Sequence, residues 1–157
     1  MTDNKTLILG LGNDILTDDG IGPRLVRDLS QIFNGQDIFF NTASCGGLEI
    51  MGYIRGYRKV IFIDAIRTMN GKPGNVYHFI PSDFTETSHL SNVHDISFIT
   101  ALKMGKILEL DLPSDLHIIA VEIVEDMEFS EDFTPSVKES YPGILEKVTA
   151  LIKQNLS

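Results

Sequence analysis

The chain has 157 residues, the size of one ordinary domain, and its 43% hydrophobic and 22% charged residues exclude a disordered or low-complexity polymer. Thirteen basic side chains against twenty-two acidic ones leave a formal net charge of −9, which excludes the electrostatic footprint of a nucleic-acid binder. The excess is uneven: residues 1–78 carry eight bases and eight acids, residues 79–157 five bases and fourteen acids.

Thr6–Leu9 is an apolar run ending at Gly10, the pattern of a buried strand that delivers the chain into a glycine turn. From Ile21, the apolar positions Leu25, Val26, Leu29, Ile32 and Phe33 recur at helical spacing, and Pro23 falls in the first turn, where a missing N–H costs nothing. Asn34-Gly35 supply the stop, and Ile38–Asn41 predicts a second buried strand. After the Ser44-Cys45-Gly46-Gly47 turn, Leu48–Ile54 predicts a short helix and Lys59–Ile63 a strand that ends at Asp64. Arg67–Gly74 is turn chemistry, and Asn75–Ile80 alternates like a half-exposed, antiparallel edge strand. Residues 81–94 have no period and are expected to form a long functional loop or lid; residues 96–108 then predict a helix capped near Ser91 or Asp95. Leu116–Val121 predicts the last buried strand, and Ser136–Gln154 a closing helix disturbed at Pro142-Gly143.

This alternation predicts a three-layer α/β/α sandwich in a single domain over residues 1–157, with about five strands, mainly parallel, and one antiparallel edge. Sites in such sheets lie beyond the carboxyl ends of the strands. One cysteine, Cys45, excludes an internal disulfide and a Cys-rich zinc site, and fits a reducing compartment. The amino terminus lacks a basic segment followed by a long apolar stretch, and no apolar run reaches the ~18 residues of a membrane span, so a cytoplasmic protein is expected.

Strand one feeds a glycine-rich segment, residues 10–22, that is not a nucleotide loop: Ile15 stands where a dinucleotide fingerprint wants a small residue, and no G-x-x-x-x-G-K-[ST] occurs. It offers instead two adjacent carboxylates, Asp18 and Asp19, at the opening of helix one, where acids also serve as simple caps. Asp64 stands at the end of an apolar strand, where acids are depleted, although it suits a turn cap as well. His94 precedes a helix at the end of the polar loop, with His89 as an alternative five residues earlier. Two carboxylates and an imidazole together can bind a borderline divalent ion such as zinc or nickel and leave positions open for substrate. His78 and His117 lie in strand patterns and read as packed residues; Cys45 reads as inert rather than nucleophilic. No H-E-x-x-H helix or G-x-S-x-G elbow is present. The run Glu122–Asp132, with six acids and no base, reads as a solvated face that can attract a basic peptide.

The segment Leu9-Gly-Leu-Gly-Asn-Asp-Ile-Leu-Thr-Asp-Asp-Gly-Ile-Gly22 resembles the opening motif of the hydrogenase maturation proteases, endopeptidases that remove a carboxyl-terminal extension from the large subunit of nickel-iron hydrogenases once nickel is installed. The likeness continues through Cys45-Gly46-Gly47, the strand ending in Asp64, the turn and strand from Gly71 to Val76, and Ser91-Asn92-Val93-His94-Asp95 before a helix. It implies that Asp19, Asp64 and His94 are the metal-contacting and catalytic residues, with Asp18 a possible general base. It also implies that the nickel arrives with the substrate, that no tightly bound organic cofactor is needed, and that the partner is the large-subunit precursor. The apolar patterns suggest a monomer that forms a transient complex with it. Many members read D-G-G-T after strand two; here Thr42-Ala43-Ser44-Cys45 lacks the acid. Two other readings stand beside the protease: a nickel-dependent checkpoint protein that binds the immature subunit without cutting it, and a metal-dependent peptidase acting on an unrelated protein.

Overall fold

Five apolar runs assemble into one sheet of order β2-β1-β3-β5-β4 in the computed structural model, which describes residues 4–44, 49–84 and 105–156. The strands are β1 (Thr6–Leu11), β2 (Ile38–Ala43), β3 (Lys59–Ile66), β4 (Val76–Phe79) and β5 (Asp115–Glu122); the helices are α1 (Ile21–Ile32), α2 (Glu49–Ile54) and α3 (Pro135–Leu156). The pairs β1–β2, β1–β3 and β3–β5 are parallel, and β4 closes the edge antiparallel to β5, as the sequence predicts.

Because side chains alternate across a strand, Ile8, Ile61, Ile63, Ile119 and Val121 face one layer and Leu7, Leu9, Val60, Phe62 and Ile118 the other. The first group packs against Leu25, Val26 and Leu29 of α1 and Val137, Ile144, Val148 and Ile152 of α3; the second packs against Ile50, Met51 and Ile54 of α2. Each such fully buried aliphatic side chain is worth about 1.5–3 kcal/mol. Lys59, buried at the start of β3, donates to the Asn155 carbonyl in the last turn of α3 and lies 3.4 Å from Asp115, tying helix end to sheet.

Four expectations are corrected. Strand β2 is not buried: it is the sheet's edge, only one face is covered, and Phe39, Asn41 and Thr42 are exposed. Strand β3 does not end at Asp64 but runs to Ile66, because β5 pairs with it as far as Glu122. Helix α3 continues through Pro142, since apolar contacts before and after the proline hold both halves to the same face of the sheet. The acidic run is not simply a solvated face: Glu122, its first member, is 2% exposed.

The loop expected over 81–94 begins with a 3-10 turn at Pro81–Phe84; the rest of it, and most of the helix expected over 96–108, lie outside the described residues, and of that helix the described residues 105–107 are helical.

Candidate functional site

The carboxyl ends of β1 and β3 lie side by side, with Gly10 paired to Ile63. The chain leaves β1 through Gly12, whose φ of +143° belongs to glycine, and turns back through a 3-10 turn at Thr17–Gly20 into α1. The motif's glycines are needed for this close return. A Cβ on Gly22 would lie 2.5 Å from the carbonyl oxygens of both Ile63 and Leu11, and one on Gly12 would lie 2.0 Å from that of Asp19. The first turn of α1 therefore sits directly on the ends of β1 and β3.

That packing places two of the three expected site residues at one edge. Asp19, three positions before Gly22, is half-buried, and its Oδ2 accepts the Asn13 N–H at 2.8 Å. Asp64 continues the Val60–Phe62 face of β3, is also half-buried, and its Oδ1 accepts the Ala65 N–H at 2.8 Å. His94, its alternative His89, and Cys45 lie outside the described residues. Among the described residues, no three His, Cys, Asp or Glu side chains gather as a metal cluster; of the expected trio, Asp19 and Asp64 are the two that lie within them. Thr42, at the position where the resemblance leads an acid to be expected, pairs with Gly10 in the register of β1 and β2 and is exposed beside this edge.

Asp18 has a different role from the one suggested for it. Its carboxylate is wholly buried and accepts the amides of Val124 and Glu125 (3.1 and 3.0 Å) and both the amide and hydroxyl of Thr134 (2.8 Å each). Four hydrogen bonds and no exposed surface make it an anchor between the 3-10 turn and the segment after β5, not a base with access to substrate.

Glu122 is the residue that sequence reasoning missed. At the end of β5, on the same sheet face as Asp64, its carboxylate accepts the Thr68 amide at 2.8 Å, the Thr68 hydroxyl, and the Tyr77 hydroxyl at 3.2 Å. The turn after β3 closes over it so tightly that a Cβ on Gly71 would overlap its Oε1. The available signal was the one that identified Asp64, an acid at the end of a buried strand.

Of the two strand histidines expected to be packed, His117 is half-buried, but His78, on the edge strand β4, is exposed. His117 Nε2 donates to Asp115 at 2.8 Å, and His117 Nδ1 meets His78 Nε2 at 2.9 Å, toward the amino end of β5 and away from the two carboxylates. Partial desolvation of its ring, reinforced by the charge of His117, shifts His78 below the usual imidazole range.

Comparison with known proteins agrees with this fold. The family model described as hydrogenase maturation protease matches residues 23–151. The hydrogenase 2 maturation protease of Escherichia coli K12 is 28% identical over 158 residues, covering 96% of this chain and 92% of that protein. The structure of the E. coli hydrogenase maturating endopeptidase HybD superposes with a TM-score of 0.75 at 25% identity, covering 96% of this chain and 93% of that one. The coenzyme F420 hydrogenase subunit delta of Methanothermobacter thermautotrophicus is 24% identical, covering 93% of each chain.

Proposed function

We propose, for a chain that belongs to the hydrogenase maturation protease family, that it removes the carboxyl-terminal extension of a nickel-iron hydrogenase large-subunit precursor after nickel insertion. The observation that carries this reading is the placement of Asp19 and Asp64 at one sheet edge by the Gly22 contact with Leu11 and Ile63. His94 is assigned as the third member of the set from the sequence motif.

The chemistry follows from an incomplete ligand set. Two carboxylates and one imidazole hold a borderline divalent ion weakly, but they can engage a nickel already bound by the substrate's own ligands. In this reading Asp19, Asp64 and His94 orient the substrate's nickel against the adjacent peptide, and the ion supplies Lewis acidity at the carbonyl or water. In this reading cleavage waits for nickel because the substrate supplies the ion.

A second reading is favoured by one observation, the similarity to a protein described as a hydrogenase subunit rather than a protease: a nickel-dependent binding or checkpoint protein that leaves the extension attached. The absence of an acid at Thr42 fits that reading too. Intact mass of the nickel-loaded and nickel-free precursor after incubation with this protein separates the two. Nickel-dependent loss of a short carboxyl-terminal peptide supports the protease. Binding without mass change supports the checkpoint protein.

A further inference from the structure

The segment following β5 is held rigidly while presenting apolar side chains to water. Its backbone is fixed at both ends to the loop that carries Asp19. The Asp18 amide donates to the Glu125 carbonyl (2.9 Å), the Thr17 amide to that of Ser130 (2.9 Å), and the Ser130 amide to that of Ile15 (3.0 Å). The Thr17 hydroxyl donates to the Glu128 carbonyl at 2.5 Å. The Glu125 carboxylate accepts the amides of Met127 and Glu128 at 2.9 and 3.0 Å, and Arg67 Nη1 bonds Asp126 at 3.1 Å, linking the segment to the turn after β3. Thr17 itself has a φ of +54°, uncommon for a β-branched residue and sustained here by these bonds.

On this scaffold Met127 is 77% and Phe129 82% exposed, and Met69 on the linked turn 97%. Exposed Glu128, Glu131 and Asp132 neighbour Met127 and Phe129 along the chain, and the run from Glu122 to Asp132 contains no base. A surface loop without a partner has no need to order its backbone around a solvent-facing Phe and Met. A recognition surface does, because preorganised apolar anchors avoid the entropy cost of ordering on binding.

We propose that residues 124–130 form the docking surface for a basic, apolar-containing segment of the hydrogenase precursor, with Met127 and Phe129 as its anchors; this rests on the functional reading above. Charge complementarity selects the occupant: exposed Glu128, Glu131 and Asp132, with half-buried Glu125, repel an acidic peptide and steer a basic one toward the Asp19 edge. The bonds from Thr17 and Asp18 make docking and presentation to Asp19 parts of one rigid surface.

The test is the dissociation constant of the nickel-loaded precursor for wild type, for the double variant Met127→Ser/Phe129→Ser, and for Glu128→Lys/Asp132→Lys, with thermal melts of each. All four side chains are exposed, so the melts should match wild type. Both variants should bind at least about tenfold more weakly, and wild-type affinity should fall as salt is raised. Affinity within about twofold of wild type in the Met127/Phe129 variant overturns the docking surface, as does absence of binding by the wild type. Intact mass on the same samples keeps the functional reading separate: wild-type binding without cleavage, weakened in the variants, removes the protease and leaves the docking surface standing.

Discussion

Asp18 and Thr134, 116 residues apart, are joined by two hydrogen bonds of 2.8 Å to one buried carboxylate. Together with the Val124 and Glu125 amides they turn the residue beside Asp19 into the point where the first and last parts of the chain meet. Asp18→Ala leaves three amides and a hydroxyl without their acceptor. Since a buried group left unpaired costs about 1–3 kcal/mol, the expected loss is about 3 kcal/mol or more. Urea unfolding measures it, and a change under about 1 kcal/mol would refute the anchoring role.

Asp19 and Asp64 should behave differently from Asp18. Both are half-buried, each accepts a local amide, and asparagine preserves an acceptor oxygen in either place. Asp19→Asn and Asp64→Asn are therefore expected to fold with nearly wild-type stability while processing falls by about a hundredfold or more. His94→Ala is expected to show the same split. Wild-type cleavage rates in any of the three, read by intact mass of the precursor, would remove that residue from the site.

Gly22 offers a test of how the edge is assembled. A methyl group there meets two carbonyl oxygens at 2.5 Å, and backbone cannot move aside as a side-chain tip does. Gly22→Ala should cost about 1–3 kcal/mol and displace α1 from β1 and β3, so that processing is lost beyond what the stability change explains. An alanine variant with unchanged urea midpoint and activity would show that α1 does not rest on these strands.

The lowered pKa of His78 predicts a pH dependence of stability. Partial desolvation first, and the charge of His117 second, lower its pKa from the ordinary 6.5, with Asp83 opposing. Between that lowered value and 6.5 the unfolded chain binds more protons than the folded one, so stability rises with pH and is lost as pH falls below 6.5. His78→Gln should flatten the urea midpoint across this window. A midpoint whose pH slope there is the same in the variant would exclude His78 as the source.

Much of the architecture was legible because it depends on local periodicity. The runs TLIL and KVIFI read as strands, the spacing from Ile21 to Phe33 as an amphipathic helix, and the alternation in Asn75–Ile80 as an edge strand, which β4 is. Strand β2 escaped this reasoning because IFF is equally apolar in an edge strand and a central one; burial there is decided by neighbours, and β2 has only one.

Asp19 and Asp64 were identifiable as site candidates because acids at the ends of apolar segments are costly without a role, and the glycine motif marked the turn between strand and helix. The roles of Asp18 and Glu122 were decided by tertiary structure alone. Asp18 has the same residue type and nearly the same position as Asp19, yet its partners are more than a hundred residues away. Glu122 looked like the first acid of a solvated run until Thr68, Tyr77 and the backbone at Gly71 closed around it. Spacing along a chain can announce that a carboxylate needs a partner; only the fold brings the distant donor within hydrogen-bond reach and so decides whether that carboxylate anchors the structure or faces the substrate.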